Sequence, residues 1–343
     1  MPDLAGDPRI DPRIKAVLAA FPGVTQSDVA NREVLLAEAS TEEALAQRAM
    51  ITAFFDSADT EEAASSKGLD VTEHAVTSQP DGNTINVRFI RPSAGEKLPC
   101  VYYIHGGGMA TSSAYDGHYR TWARVIANQG VAVTMVDFRN CLTPSSCEEV
   151  APFPAGLNDC VSGLRWVVEH ADDLGIDPSR VVVAGESGGG NLTLATGLKL
   201  KEDGDIELVR GLYALCPYIS GSWPRDDLPS STENNGILLD LHNNRGAMAY
   251  GIEALEARDP LAWPLFASED EVRGLPPVYI SVNECDPLRD EGIAFYRLLL
   301  RAGVPARCRE VIGTIHGTEV LAFMCPDISR DTAASIADFA RGL

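Results

Sequence analysis

Apolar positions along the chain change their spacing near residue 69. Before that point they recur every three to four residues over 10–21, and Ser40–Glu43 reads as a capping box that opens a second such segment to about Ala53. Both segments are therefore predicted to be helices, whereas residues 54–69 are small and acidic and are predicted to be a loop. Helices of this kind must pack their apolar faces against another part of the chain.

From residue 69 onward, short apolar runs alternate with helical periods, and the first two runs flank a Pro-Asp-Gly-Asn turn typical of a hairpin. Predicted strands cover Val71–Thr77, Ile85–Arg91, Pro99–His105, Val131–Asp137, Arg180–Ala184, Val209–Leu215, Val278–Val282 and Arg307–Val311. Predicted helices cover Tyr115–Gln129, Phe153–Ala171, Gly189–Lys201, Arg289–Ala302 and Thr332–Leu343. This alternation indicates an α/β fold with a mostly parallel central sheet of about eight strands and helices on both faces.

One stretch interrupts the alternation. Residues 218–275 contain no evident strand and include an apolar helical piece near 237–255. An insertion of this length in an α/β unit often forms a lid. We therefore predict an N-terminal helical cap segment, residues 1–68, and a catalytic domain, residues 69–343, whose insertion at 218–275 contributes to the cap.

The charge balance narrows the classes of partner. The 343 residues include 28 Lys and Arg against 49 Asp and Glu, a formal net charge of −21. This charge disfavours nucleic acid and anionic membranes as partners, so we expect a neutral small-molecule substrate. No apolar run approaches the roughly 20 residues of a membrane span. The first residues also lack a signal-peptide pattern, so we expect a cytoplasmic protein without stable membrane anchoring.

The eight cysteines are scattered along the chain without metal-ligand spacing. Reduced, buried thiols are therefore expected, and no metal is implied. Cys141 and Cys147 lie in one predicted loop, and the sequence leaves open whether they pair.

A glycine-rich turn follows the predicted strand Arg180–Ala184. Gly185-Glu-Ser-Gly-Gly189 has the spacing that places a serine at the apex of a sharp strand-to-helix turn, with glycines where side chains would collide. Ser187 would then stand exposed at the end of the sheet, near the positive end of the next helix. An ordinary strand–turn–helix is the alternative, but the flanking strand and helix favour a nucleophile.

A serine nucleophile needs a base within hydrogen-bond reach. In this architecture catalytic groups lie on loops after strands, and His316 follows the last predicted strand. His105 precedes a glycine triplet and is better interpreted as a turn former. His118 and His170 are predicted to lie at exposed positions of helices. His316 is therefore the predicted base.

The base needs an orienting carboxylate, and two candidates follow the next-to-last predicted strand. Asp286 is the first candidate, although it also suits the N-cap of the following helix. Glu284 is the alternative if Asp286 is only a cap. Asp137 also ends a strand, but it precedes the serine in the chain.

A glycine triplet ends the third predicted strand. The backbone N–H groups of Gly106, Gly107 and Gly108, with that of Gly188, are predicted to form an oxyanion hole, in which one donor is typically worth about 3–4 kcal/mol. A phosphate-binding loop is the alternative, but the Gly-Lys-Ser/Thr of a P-loop is missing. The order serine, aspartate, histidine along the chain is that of the α/β hydrolases.

Further motifs accompany these elements. The set comprises Tyr103–Gly108, Val136–Arg139, Phe153–Ala155, Asp177–Arg180, Gly185–Leu192, Asp259–Ala262, Leu275–Pro277, Asp286–Glu291 and His316–Gly317. Together they resemble the hormone-sensitive-lipase-like carboxylesterases, bacterial family IV of the α/β-hydrolase superfamily, from about residue 70 to the end. The family more often has Asp-Ser-Ala-Gly where this chain has Glu186–Gly189, and it lacks the extra residues found here up to Ala151.

The resemblance implies Ser187 as nucleophile, His316 as base and Asp286 as its partner. It also implies an oxyanion hole from Gly106–Gly108 with Gly188, a supporting role for Glu186 behind the nucleophile, and a helical cap. Such enzymes need no metal or other cofactor. The family further suggests a homodimer formed through the edge strand.

The sequence thus predicts a serine carboxylesterase for neutral esters of short- to medium-chain acids. An amidase, a lactonase or a deacetylase would use the same triad, so these activities stay open as alternatives. A non-catalytic binding protein on this scaffold, such as the gibberellin receptors, is disfavoured because those proteins have lost the histidine that is present here as His316. Tyr115, Trp223 and Met109 are candidates for the lining of the pocket.

Overall fold

The computed structural model describes residues 6–18, 25–94 and 97–342. Eight strands in these ranges form one sheet: β1 (Leu69–Thr77), β2 (Thr84–Pro92), β3 (Leu98–Ile104), β4 (Ala132–Asp137), β5 (Ile176–Glu186), β6 (Gly211–Leu215), β7 (Val278–Asn283) and β8 (Ala306–Val311). Their spatial order is β1-β2-β4-β3-β5-β6-β7-β8. Every neighbouring pair from β4 to β8 is parallel, and β2 is antiparallel to both β1 and β4. The predicted fold class, an α/β-hydrolase fold with a mostly parallel sheet, is therefore confirmed.

Thirteen helices are formed within the described ranges. They are α1 (Pro12–Leu18), α2 (Arg32–Ala39), α3 (Glu42–Ala58), α4 (Gly117–Ala127), α5 (Ala155–Glu169), α6 (Ala171–Leu174), α7 (Gly188–Asp203), α8 (Ser230–Glu233), α9 (Arg245–Tyr250), α10 (Ile252–Glu256), α11 (Glu269–Val272), α12 (Arg289–Arg301) and α13 (Pro326–Gly342). None of these helices is both long and apolar enough to cross a membrane.

The two faces of the sheet bury different side chains because successive residues of a strand point to opposite sides. On β3, Tyr102 and Ile104 belong to the core under α5, α7 and α12, whereas Val101 and Tyr103 belong to the core under α4 and α13. All four side chains are fully buried. Helices therefore cover both faces, as near-continuous apolar strands require.

The N-terminal helices differ most from the sequence prediction. Helix α2 was missed, although Asn31 caps it by accepting a hydrogen bond from the N–H of Val34 at 3.1 Å. Helix α3 continues to Ala58, into the predicted loop, and its last turns present Phe54 and Phe55 to Phe323 and His118. These tertiary contacts explain the extra turns, because small acidic residues alone do not favour a helix there. Phe21, where the first predicted helix ends, lies outside the described residues.

Helix boundaries elsewhere differ less. The apolar piece near 237–255 is not one helix but two short ones, α9 and α10, separated by Gly251, whose φ of 151° is incompatible with a helix. Helix α13 begins at Pro326, six residues before the predicted start at Thr332. A proline is favourable in the first turn of a helix because the missing N–H is not needed there.

The N-terminal stretch packs on the insertion between β6 and β7. The N–H of Gln26 donates to Asp240 at 2.9 Å, and the side chain of Asn244 both accepts from and donates to the backbone of Val29 at 2.9 Å. Arg245 also forms an ion pair with Glu38. Two chain segments more than 200 residues apart therefore form one layer over the sheet's carboxyl edge.

A buried carboxylate ties the start of this insertion to α12. Glu291 is 1% exposed and accepts hydrogen bonds from the N–H groups of Ile219 and Ser220, at 2.6 and 3.2 Å, and from Nε1 of Trp223 at 2.7 Å. Burial raises the pKa of Glu291 to about 8, although the three donors favour the carboxylate. The insertion therefore leaves the sheet in a direction set by Glu291.

Replacing Glu291 tests this anchor. Glu291→Leu leaves three buried donors unpaired, and each costs about 1–3 kcal/mol, so we expect the free energy of unfolding to fall by at least about 3 kcal/mol. Glu291→Gln should lower the free energy of unfolding by less, because its amide oxygen can still accept hydrogen bonds from the backbone. Urea unfolding measures both, and Glu256→Leu at an exposed site of the same insertion should stay within about 0.5 kcal/mol of wild type. A Glu291→Leu protein as stable as wild type would contradict the anchoring role.

Candidate active site

The turn after β5 holds its serine in an uncommon backbone conformation. Ser187 has φ 58° and ψ −119°, and α7 begins at the next residue. A Cβ atom on Gly185 would lie 2.5 Å from the carbonyl oxygen of Gly189, and one on Gly189 would collide with the carbonyl oxygen of Ile104. Only glycines fit at these two positions. The turn therefore has the geometry of a nucleophile elbow, with its strain concentrated at Ser187.

Loops from the carboxyl ends of three strands bring Ser187, Asp286 and His316 together. The hydroxyl of Ser187 lies 2.8 Å from Nε2 of His316, and Nδ1 of His316 lies 2.8 Å from Oδ2 of Asp286. Asp286 is fully buried, and its other oxygen accepts from the N–H of Leu288 at 2.9 Å. Glu284, the alternative carboxylate, instead accepts from the N–H of Gly313 at 2.8 Å. The aspartate therefore orients the imidazole and leaves Nε2 facing the serine.

Burial and the neighbouring carboxylate shift the pKa of His316 in opposite directions. Burial disfavours its imidazolium, but the neighbouring carboxylate of Asp286 outweighs burial and raises the pKa of His316 well above its ordinary value. Burial raises the pKa of the Cys216 thiol to about 11, so that thiol is protonated at neutral pH. An imidazolium formed during a reaction would consequently be stabilised by Asp286.

The glycine loop after β3 lies against the elbow. A Cβ atom on Gly188 would lie 2.5 Å from the nitrogen of Met109 and 2.8 Å from that of Gly108, so the two backbone segments are in direct contact. Within the described residues, the N–H groups of Gly107 and Gly108 have no protein acceptor. The N–H of Gly106 donates to Glu186 at 2.7 Å and to Tyr119 at 2.8 Å. Gly106 is therefore engaged in holding the loop and is not free to bind an oxyanion.

Glu186 is the centre of the contacts behind this loop. Its carboxylate is 3% exposed and accepts hydrogen bonds from Gly106, from the hydroxyl of Tyr103 at 2.5 Å and from the hydroxyl of Tyr119. Burial raises the pKa of Glu186, and the two tyrosine hydroxyls oppose that rise. The residue before the nucleophile is thus joined to the strand, the helix and the loop that face it.

Two other histidines, His105 and His118, pack against neighbouring side chains and lie outside the group formed by Ser187, Asp286 and His316. Nδ1 of His105 donates to the carbonyl oxygen of Gly106 at 2.9 Å, and its ring stacks on Phe138 with centroids 4.3 Å apart. His118 was predicted to be exposed, which is wrong: it is 7% exposed and lies against the ring of Phe55, with centroids 4.0 Å apart. A prediction from helical periodicity could not include the covering helix α3, which comes from a distant part of the chain.

A cavity of about 450 Å³ opens at Ser187. Its lining combines the glycine loop after β3, helix α4, the insertion and the segment after β8, and it includes Gly107, Gly108, His118, Tyr119, Tyr218, Trp223, Leu239, Leu241, Arg245, His316 and Leu321. A wider groove of about 940 Å³ adjoins it, and the two share Gln26, Thr111 and Arg245. Of the predicted lining residues, Trp223 faces the cavity, Tyr115 faces the groove and Met109 is buried in the core.

Only one group of residues in the described part of the chain could hold a metal ion. Cys216, Asp286 and His316 each offer a ligand atom, and these atoms lie within 4.8 Å of one another. All eight cysteines are free thiols, so Cys141 and Cys147 do not pair.

Sequence relatives agree with the fold. Residues 101–320 match the family described as having an alpha/beta hydrolase fold. The carboxylesterase NlhH of Mycobacterium tuberculosis is 32% identical over 255 residues, which cover 74% of this chain and 76% of that protein. The esterase LipI of the same organism is 32% identical over 222 residues, 64% of this chain and 66% of its own length.

Solved structures extend the similarity to nearly the whole chain. A structure of esterase Est22 is 64% identical, with a TM-score of 0.97 over 99% of this chain and 100% of that one. Brefeldin A esterase, a bacterial homologue of human hormone-sensitive lipase, is 37% identical, with a TM-score of 0.87 over 99% of this chain and 96% of its own.

The fold and the site together define a hydrolase of the α/β class. The chain belongs to the α/β-hydrolase fold family, within its hormone-sensitive-lipase-like branch, and it is a carboxylic ester hydrolase.

Sequence reasoning missed several residues of the site. Tyr103 and Tyr119 were not assigned to the site, yet both donate to Glu186, and Cys216 was not connected with His316. Tyr119 lies on α4 and Cys216 follows β6, so neither stands in a motif with the residue that it contacts. Of these three residues, only Cys216 could have been placed near the site from sequence, because it directly follows a strand that ends at the same sheet edge as the elbow.

The buried position of His118 predicts a pH dependence of stability. Burial, together with the charges of His105 and Arg120, lowers the pKa of His118 to about 3. As the pH falls below about 6.5, the unfolded chain takes up a proton that the folded chain does not, which costs up to about 1.4 kcal/mol per pH unit. The free energy of unfolding should therefore decrease between pH 6.5 and 4.5 by a larger amount in wild type than in His118→Phe.

Urea unfolding at the two pH values measures this difference. His242→Phe, at an exposed position, is the matched control and should keep the wild-type dependence. Equal pH dependence in His118→Phe and wild type would show that the folded protein accepts the proton on His118.

Proposed function

We propose that the protein is a serine carboxylesterase in which Ser187 is the nucleophile, His316 the general base and Asp286 its orienting partner. The observation that carries this proposal is the unbroken chain of hydrogen bonds, 2.8 Å from serine to imidazole and 2.8 Å from imidazole to carboxylate, beside a cavity. Nucleophile, base and orienting group in this arrangement are the parts that covalent acyl transfer needs.

The reaction follows from this arrangement. Nε2 of His316 takes the proton as the oxygen of Ser187 attacks the ester carbonyl, and the N–H groups of Gly107, Gly108 and Gly188 stabilise the tetrahedral oxyanion. His316 then protonates the leaving alcohol, which leaves an acyl group on the serine. Water, activated by the same imidazole, releases the acid. Glu186 supports this chemistry by holding the oxyanion loop through Gly106.

The predicted hole included Gly106, and we leave that residue out of the proposal. Its N–H already donates to two acceptors, and breaking these contacts would take one donor from the buried carboxylate of Glu186. The N–H groups of Gly107, Gly108 and Gly188 then remain as donors, and the two backbone segments that carry them are in contact at Gly188.

The cavity supports neutral esters of short- to medium-chain acids as substrates. A volume of about 450 Å³ with walls from Tyr218, Trp223, Leu239 and Leu241 suits a small apolar group, and the net charge of −21 disfavours anions. Among the relatives are an ethyl acetate hydrolase of Pseudomonas putida, 29% identical over 243 residues, and an Est22 structure that contains p-nitrophenol.

We further propose that residues 1–68 and the insertion at 218–275 act together as a cap on a catalytic domain formed by the rest of residues 69–343. The contacts of Gln26 with Asp240, of Val29 with Asn244 and of Glu38 with Arg245 support this division. Gln26 and Arg245 also line the cavity, so the cap contributes directly to substrate selection.

Removing the nucleophile tests the proposed mechanism. Ser187→Ala should lower kcat for p-nitrophenyl acetate by at least about 10⁴-fold, because loss of the nucleophile in serine hydrolases costs up to about 10⁶-fold. Ser222→Ala, at an exposed serine of the insertion, is the matched control and should keep its rate. Most of the activity remaining in Ser187→Ala would exclude this serine as the nucleophile.

The acyl chain length tests the size of the site. We expect kcat/KM for p-nitrophenyl esters to be highest for acetate to hexanoate and to fall steeply toward palmitate, because the cavity cannot bury a long chain. Trp223→Ala should move the optimum to longer chains by removing part of the wall. A maximum at palmitate would contradict the proposed acyl preference, and no ester hydrolysis by a folded protein would direct attention to amides and lactones.

A further inference from the structure

A thiol lies beside the acid–base pair and has no part in the proposed mechanism. Cys216 is the first residue after β6, is fully buried and has a φ of 33°, and its N–H donates to the carbonyl oxygen of Ser281 at 2.7 Å. This backbone position brings the sulfur, a nitrogen of His316 and an oxygen of Asp286 within 4.8 Å of one another.

A thiolate, an imidazole and a carboxylate are the donors that zinc prefers in proteins. Tetrahedral zinc with bonds of about 2.0–2.3 Å holds its ligands about 3.3–3.8 Å apart, so the three groups need to move by only about an ångström. Two negative ligands and one neutral ligand also cancel the charge of a divalent ion, which matters in a buried site. Magnesium and calcium fit poorly because they require six or more oxygen ligands.

We propose that Cys216, Asp286 and His316 form a binding site for a thiophilic divalent cation such as Zn²⁺, and that an ion bound there inhibits the enzyme. A second buried acid adds to the negative surroundings. Glu319 is 1% exposed, and its Oε1 has no hydrogen-bond partner within the described ranges. Burial disfavours a bare thiolate at Cys216, the carboxylates of Asp286 and Glu319 act in the same direction, and the same carboxylates favour a cation.

Inhibition follows from the two nitrogens of His316. In the neutral imidazole that the proposed function requires, Nδ1 donates its proton to Asp286 and Nε2 accepts from Ser187. An ion held by Asp286 and His316 takes the electron pair of Nδ1, and the thiol releases its proton to solvent. The imidazole proton then resides on Nε2, which can no longer accept the proton of the serine. This consequence for activity rests on the proposed function, whereas ion binding itself does not.

The path to the site predicts slow inhibition. Cys216 and Asp286 are both 0% exposed, while His316 is 6% exposed and lines the cavity. An ion from the cavity reaches the other two ligands only when the imidazole moves aside. Inhibition should therefore develop over time after mixing rather than at once.

The first experiment measures zinc inhibition of p-nitrophenyl acetate hydrolysis by chelator-treated protein, each variant relative to its own uninhibited rate. We expect wild type to be inhibited slowly and to recover with chelator. The inhibition constant should rise by more than about tenfold in Cys216→Ala and Cys216→Ser, since even second-shell partners of metal ligands are worth about 10–100-fold. Cys308→Ser, a half-buried thiol on β8, is the matched control and should behave as wild type. Equal inhibition of wild type and Cys216→Ala would overturn the proposal.

The second experiment needs no catalysis. Co²⁺ replaces Zn²⁺ as a spectroscopic probe, and we expect one ion per chain with a thiolate-to-cobalt absorption band in wild type and in Cys308→Ser. The band should be absent in Cys216→Ala and weakened in Asp286→Asn, with circular dichroism confirming that each variant is folded. A band in a wild-type protein without esterase activity would support the metal site and refute the proposed function. A cobalt complex without a thiolate band would refute the site.

Discussion

The contact between the backbone of the elbow and the end of β3 is the constraint on which the site depends. Gly189 lies so close to the carbonyl oxygen of Ile104 that no side chain fits between them, and a side chain on Gly185 would likewise collide with Gly189. This contact fixes the direction in which α7 leaves the sheet and forces the strained conformation of Ser187. It also places Gly188 against the glycine loop after β3, so Ser187 and the N–H groups of that loop share one rigid support.

Buried carboxylates organise the rest of the site, each by collecting donors from separate elements. Glu186 joins a strand, a helix and the glycine loop, while Glu291 directs the insertion that forms a cavity wall. Asp286 does the same for the imidazole. An unpaired buried charge is costly, so each of these acids selects one arrangement of its neighbours. Such acids help to hold a catalytic geometry together even when they contribute little net stability.

The features predicted well from sequence are those with local or topological causes. The parallel strands were found because buried parallel strands are apolar runs, and the opening pair β1 and β2 was found from its turn residues. The closeness of Asp286 and His316 was predictable because the carboxyl ends of parallel strands meet at one edge. The failures involve contacts between distant parts of the chain. The helix over His118, the extra turns of α3 and the two acceptors of Gly106 all depend on partners that no short window of sequence contains.

The pairing of residues 9–14 with segments far along the chain has a consequence for biosynthesis. Arg9 contacts Glu233, 224 residues away, and Arg13 contacts Asp327, 314 residues away. Ile10 and Ile14 are buried against Cys285, Ile315 and Met324. During translation α1 therefore leaves the ribosome long before its partners are synthesised, and its apolar face stays uncovered until then. The contacts of α1 can form only after Asp327 has been synthesised, so the packing around Ile10 and Ile14 is a late step in folding.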